Sequence, residues 1–364
     1  MNSAITAISY AVPDGRLTHA ELCSRFGTSV MDKVSKLSGI LERRICADGE
    51  CASDLAAQAA KRLFYTSGIG PDSIDLLLMA TQTPDFAMPT TACILQDRLS
   101  ISKSAACFDI NLGCTQFIYA IATAQSWIAS GLAKRALVLC ADTPSKLINK
   151  MDRSAVSIFG DAACAILIEK SRLPSIIGFD FGSDGSGYDA LICPCSGMRN
   201  PPSPSDAEEK RDADGNVRSN MNMKVDGLRI FAFAYKTIPE SVSNLLNKRG
   251  LKVSNIDLFV FHQAGYKIVS DAAERLKIPR KKVYYKMHDI GNCGGASIGI
   301  ALADAVSTGR LRPGMKVVCC AFGVGLSWGS ALIEWSGNFR SASRVGDFSR
   351  SPEKPEQQRC ADMI

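Results

Sequence analysis

The chain has 364 residues, 46% of them hydrophobic and 21% charged, the balance of a globular protein with a sizeable core rather than a disordered chain. Its net charge of +6 comes without a Lys/Arg run, which disfavours a nucleic-acid partner and suits an acidic protein partner. No apolar run reaches membrane-spanning length, and Met1-Asn2-Ser3-Ala4-Ile5-Thr6 lacks a basic segment before an apolar one, so the expectation is a cytoplasmic protein with no membrane partner.

In chain order, residues 4–12 read as an edge or first strand ending at Pro13-Asp14-Gly15, and residues 18–37 as a polar-faced helical segment. A helix follows from about Ser53, with Asp54 in its first turn and Leu55, Ala59 and Leu63 on one face. The continuous apolar run Ile74–Ala80 is the pattern of a strand covered on both faces. A helix around Thr90–Leu99 leads to a short strand that ends in Leu112-Gly113-Cys114 and passes into a helix carrying Phe117, Ala120, Ile121 and Ala124. Ala136–Cys140 and Ala162–Ile168 supply further strands, so the first half reads as an α/β layer.

The second half repeats this grammar. Gly68-Ile69 and Ile74-Asp75-Leu76 answer Gly250-Leu251 and Ile256-Asp257-Leu258 at a separation of 182 positions (250 − 68, 256 − 74). Gly113-Cys114 answers Gly291-Asn292, and Ala136–Cys140 answers Val317–Ala321. Two βαβα units packed back to back would bring Cys114 and Asn292 together at a pseudo-dyad. The expected halves are 1–172 and 173–336. Within the second, 195–222 is rich in Pro and charge and reads as a solvated insert, and 337–364 reads as a disordered tail.

Cys114 is the candidate nucleophile. A thiol at a strand-to-helix turn faces free backbone N–H groups and the positive end of the helix dipole, which should lower its pKa. Most of the 14 cysteines lie in apolar strands and read as small buried hydrophobes. Cys193-Pro194-Cys195 and Cys319-Cys320 lack the second pair or histidines of a zinc site, so no metal is expected. Gly182-Ser183-Asp184-Gly185-Ser186-Gly187 superficially matches a dinucleotide fingerprint, yet no helix pattern follows, and it reads as a turn. His262 closes the buried run Leu258–Phe261, where it would point into the crevice above a sheet. Asn292 sits at another expected strand-to-helix turn, and Phe322-Gly323-Val324-Gly325 offers backbone N–H groups for an oxyanion.

Taken together, Cys114 in Asp-x-x-x-x-Cys, Arg153 before Ile158-Phe159-Gly160-Asp161, His262-Gln263-Ala264, Gly291-Asn292 and Phe322–Ala331 resemble β-ketoacyl-acyl carrier protein synthase III of the thiolase-like superfamily. The resemblance runs in order over roughly residues 4–336. It implies a five-layer α-β-α-β-α fold from two duplicated halves, a homodimer, and acyl carrier protein as partner. It further implies that Cys114 carries an acyl group from acyl-CoA or an acyl carrier, and that His262 and Asn292 stabilise the enolate left when malonyl-carrier protein loses CO2. The backbone N–H groups of Cys114 and Val324 would hold the oxyanion, with no metal or redox cofactor required. Arg153, Phe231, Gly265, Lys267 and Met88 fall at positions that the resemblance ties to substrate or carrier binding. Lys33 and Leu37 replace the Trp and Arg common in members primed by acyl-CoA, Gly265 and Lys267 replace an Asn and an Arg, and Met88 replaces a Phe contributed across the dimer.

Three alternatives remain. One is an acyltransferase of the same fold that delivers to a hydroxyl or amine without decarboxylation. Another is a papain-like cysteine protease, for which Cys114, His262 and Asn292 have the chain order but not the Cys-Gly-x-Cys-Trp context. The third is a thiol-rich binding protein.

Overall fold

Nine strands form two sheets with one shared connectivity. The computed structural model describes residues 2–336; the tail expected to be disordered lies outside the described residues. Strands β1 (Asn2–Ala11), β2 (Leu76–Ala80), β3 (Ala106–Ile110), β4 (Arg135–Asp142) and β5 (Ala162–Ser171) make the first sheet, in the order β1-β5-β4-β2-β3. Strands β6 (Ile176–Ser183), β7 (Leu258–Phe261), β8 (Lys316–Gly323) and β9 (Ser327–Glu334) make the second, in the order β7-β8-β9-β6. In the first sheet β2 runs parallel to β4, which pairs antiparallel with β5, which pairs antiparallel with β1. In the second, β7, β8, β9 and β6 repeat that sequence of pairings.

The repeat extends to side chains. Asp75 Oδ2 accepts the N–H groups of Lys134 and Arg135 at 2.7 and 3.0 Å, and Asp257 Oδ2 accepts that of Lys316 at 2.8 Å. In each half an aspartate just before the first parallel strand thereby fixes the start of its neighbour. The halves differ at the counterpart of β3, where the second sheet has only an isolated bridge between Phe259 and Val283.

Helices fill the outer and central layers. On the outer face of the first sheet lie α3 (Ala52–Ser67) and α4 (Thr91–Arg98), preceded in the chain by α1 (His19–Phe26) and α2 (Thr28–Ser38). Between the sheets, α5 (Gln116–Ser130) and α9 (Ser297–Ser307) bury Phe117, Ile118, Ile121, Ile298, Ile300 and Leu302 against strands of both. The short α6 (Arg153–Val156) lies beside the insert 195–222, and α7 (Gly227–Lys248) and α8 (Tyr266–Arg275) cover the far face of the second sheet. This is the five-layer α-β-α-β-α arrangement. With both faces covered, every residue of β2 and β7 is buried, which explains their unbroken apolar runs.

Two expectations change. The single helical segment over 18–37 is two helices, because Gly27 adopts φ +91°, ψ 135° between them and turns the chain back on itself. The insert 195–222 is mostly exposed but holds a small hairpin, Lys210–Arg211 against Val217–Arg218. Ordering there comes from polar contacts in place of apolar burial: Arg218 bonds Asp152 and reaches Asp212 at 2.9 Å. None of the cysteines among the described residues is in a disulfide.

Candidate active site

Cys114 precedes α5 by two residues, at the mouth of the layer between the sheets. Gly113 and Gly323 permit its placement. A Cβ on Gly113 would lie 2.1 Å from Val324 Cγ1, and one on Gly323 would lie 2.7 Å from both Cβ and Sγ of Cys114. The hairpin turn between β8 and β9 is thus packed directly on the sulfur.

His262 follows β7 by one residue, and its backbone N–H donates to the Cys320 carbonyl of β8 at 2.8 Å, extending the parallel ladder. Its Nδ1 lies 2.7 Å from Ser297 Oγ at the start of α9, and its ring meets Phe322 edge-on with centroids 5.4 Å apart. With Nδ1 engaged, Nε2 is the nitrogen left for a ligand. Asn292 is reached differently from the expectation: no regular strand leads to it. Its backbone forms an isolated bridge with Phe159, donating to the Ile158 carbonyl and accepting from the Gly160 N–H at 2.9 and 3.0 Å. Gly291, at φ +83°, makes the preceding turn, where a Cβ would meet the Ile158 carbonyl oxygen at 3.0 Å. Asn292 Oδ1 accepts the Gly294 N–H at 3.1 Å, so the carboxamide presents its NH2 as donor.

Cys114, His262 and Asn292 all line one cavity of about 190 Å³ with Phe159, Ile230, Phe322 and Gly323. The electrostatics correct one expectation. Burial pushes the Cys114 thiol up to about 12, with the carboxylate of Asp142 adding to the rise; the backbone N–H groups of Cys114 and Val324 pull the other way and do not prevail. Desolvation of the buried thiol outweighs the helix-end effect here. Burial likewise pushes His262 down to about 3, so the ring is neutral. The resting pair is therefore a thiol and an uncharged imidazole, not a thiolate and an imidazolium.

The remaining candidates are scattered around this centre. Arg153 is half-buried at the start of α6, beside cavity-lining Ser154. Phe231 stacks on Tyr235 along α7 with centroids 6.1 Å apart, one residue beyond cavity-lining Ile230. Gly265 is buried and precedes α8, and Lys267 on that helix is exposed and paired with Asp271 at 2.7 Å. Met88 is 83% exposed and is not among the residues that line the cavity.

Two residues escaped the sequence reading. Ser297 orients His262 and stands after a run of small residues, Gly294-Gly295-Ala296, which carries little signal. Asp142 is buried at the end of β4 and accepts hydrogen bonds from Thr81, the Gln82 N–H, Gln116 and the Gly295 N–H. It ties both halves together beside the sulfur, and burial raises its carboxyl to about 6. A charge closing an apolar strand above a crevice was the available clue.

Comparison with known proteins agrees with this geometry. Family models described as 3-oxoacyl-[acyl-carrier-protein (ACP)] synthase III and its C-terminal part match residues 108–185 and 246–335. The β-ketoacyl-[acyl-carrier-protein] synthase III of Clostridium acetobutylicum is 37% identical over 92% of this chain and 100% of its own length. A crystal structure of 3-oxoacyl-(acyl-carrier-protein) synthase III aligns with TM-score 0.90 at 36% identity, covering 92% of this chain and 100% of that one. The priming β-ketosynthase of the R1128 polyketide pathway aligns with TM-score 0.80 at 25% identity, over 93% and 97% of the two chains.

Proposed function

We propose that this chain, which belongs to the β-ketoacyl-[acyl-carrier-protein] synthase III family, loads an acyl group on Cys114 and joins it to a malonyl unit with loss of CO2. The observation that carries the reading is the convergence of a sulfur, a neutral imidazole and a carboxamide on one cavity. In this reading residues 1–172 bring the sulfur, and 173–336 the other two groups.

The steps follow from the site. The Cys114 thiol attacks the carbonyl of an acyl thioester while the backbone N–H groups of Cys114 and Val324 hold the oxyanion; the C–S bond of the donor breaks and its departing thiolate takes the Cys114 proton. A malonyl thioester then enters. Nε2–H of His262 and the NH2 of Asn292 donate to its thioester oxygen, so that loss of CO2 leaves an enolate and not a free carbanion. A neutral ring suits that donor role, and Ser297 holds it by donating to Nδ1. The enolate carbon attacks acyl-Cys114, the acyl–sulfur bond breaks, and the released thiolate, with its high proton affinity, takes a proton from solvent to return as thiol. No step calls on a metal or redox cofactor.

Acyl carrier protein is the proposed partner, with Lys267 and Arg153 as cationic contacts near the cavity mouth, and acyl-CoA is a second possible donor. A homodimer in the cytoplasm fits this reading, and exposed Phe86 and Met88 give a partner subunit apolar side chains to cover. The test is the stoichiometry of CO2 release. Acyl-loaded protein given malonyl-carrier protein should release one CO2 per β-ketoacyl product. Acyl transfer to a hydroxyl or amine with no CO2 would identify the same-fold acyltransferase instead.

A further inference from the structure

Away from the cavity, the α1–α2 hairpin gathers three metal-binding side chains. His19 and Cys23 lie four residues apart on one face of α1. The reversal at Gly27 brings Asp32 of α2 against them. Asp32 Oδ1 lies 2.9 Å and Cys23 Sγ 3.3 Å from the same atom, His19 Nε2, and the three donor atoms all lie within 4.8 Å of one another.

One nitrogen cannot serve both neighbours through hydrogen bonds. With a single proton on Nε2, the ring satisfies the carboxylate or the sulfur but not both. His19 Nδ1 is buried and has no hydrogen-bond partner, so the metal-free ring keeps its proton on Nε2 beside Asp32, and a cation that takes Nε2 moves that proton to Nδ1. A divalent cation resolves the conflict, because imidazole nitrogen, thiolate and carboxylate can all donate to one centre. With ordinary bond lengths, a tetrahedral zinc ion separates N from O by about 3.3 Å and N from S by about 3.5 Å. The observed 2.9 and 3.3 Å widen by a few tenths of an ångström, and Cys23 Sγ and the Asp32 carboxylate, within 4.8 Å of each other, close toward about 3.6 Å.

We propose that His19, Cys23 and Asp32 form a binding site for a zinc-class divalent cation, with the fourth position left to water. Binding displaces the Cys23 proton to solvent, and the cation then pins α1 to α2. That pin bears on the cavity: Leu22 of α1 and Met31 of α2 pack in a cluster with Phe159 and Leu191, both of which line it. The expectation of no metal rested on cysteine pairs; this site draws its ligands from two helices whose approach depends on one glycine.

The test uses the full chain, cleared of metal with a chelator and titrated with Co2+ and Zn2+. The wild type should take up one Co2+ with a sulfur-to-metal charge-transfer band, which Zn2+ displaces. Cys23→Ser should lose the band, and Asp32→Asn, at an exposed position whose replacement leaves the fold intact, should weaken binding at least about tenfold. Cys193→Ser, which removes a thiol of the only closely spaced Cys-x-Cys pair, should leave the band unchanged. Equal binding by wild type, Cys23→Ser and Asp32→Asn, or no saturable binding by the wild type at micromolar Co2+, would overturn the assignment, leaving an ion pair beside a thiol.

Discussion

Ser297 Oγ sits 2.7 Å from His262 Nδ1, joining the first residue of the central helix α9 to the residue that follows the buried strand β7. The hydroxyl touches no substrate in the proposed mechanism and acts by holding the ring at Nδ1, where it donates when the proton sits on Nε2. Ser297→Ala should lower kcat about tenfold to a hundredfold with little change in KM, the range typical for loss of an orienting partner. Ser297→Thr, which keeps the hydroxyl, should recover most of the rate. Steady-state kinetics on the three proteins checks this, and a change confined to KM would contradict it.

Gly323 is set by contact with the sulfur. The Cβ of an alanine there would lie 2.7 Å from Cys114 Sγ, so the thiol must shift from its position under the Val324 N–H. Gly323→Ala should fold and yet form acyl-enzyme at least about 100-fold more slowly, since displacements of this size at a reacting atom cost about that much. Single-turnover acylation followed by mass spectrometry measures it.

The neutral, buried His262 carries a pH signature in stability. Its folded value is depressed to about 3 from 6.5, so the unfolded chain gains a proton first as pH falls. The contribution is fully present above about pH 6.5 and is lost progressively below it. Between pH 7 and 5 this group alone costs about 2 kcal/mol. Asp142, raised to about 6 from 3.8, acts in the opposite sense, its contribution being lost as pH rises through that window. The comparison is therefore between slopes: urea unfolding at pH 7 and 5 should show the wild type losing about 2 kcal/mol more than His262→Gln. Parallel slopes would mean that His262 is charged or solvated in the fold.

Much of this architecture was legible because the duplicated halves use the same local signals. The buried runs at Leu76–Ala80 and Leu258–Phe261 follow aspartates that do the same job, and Cys114 and His262 were visible as polar side chains at the ends of apolar strands. What escaped depends on contacts distant in sequence. Asn292 is placed by a bridge to Phe159 and not by a strand of its own, and Asp142 collects donors from both halves. The thiol's proton affinity is not legible in sequence, because the helix end is local and visible there, whereas desolvation appears only when the second half packs over the site. Gly27 gives no turn signal in sequence, because the residues on either side of it are both helical in pattern.

Intact-protein mass spectrometry after incubation with a panel of acyl-CoA and acyl-carrier donors tests the central claim, that Cys114 carries the acyl group. The wild type should gain one acyl mass, located by peptide mapping on Cys114 and released by hydroxylamine, and Cys114→Ala should gain none. The same mass shift in Cys114→Ala, or acylation mapped to another of the cysteines, would contradict the account.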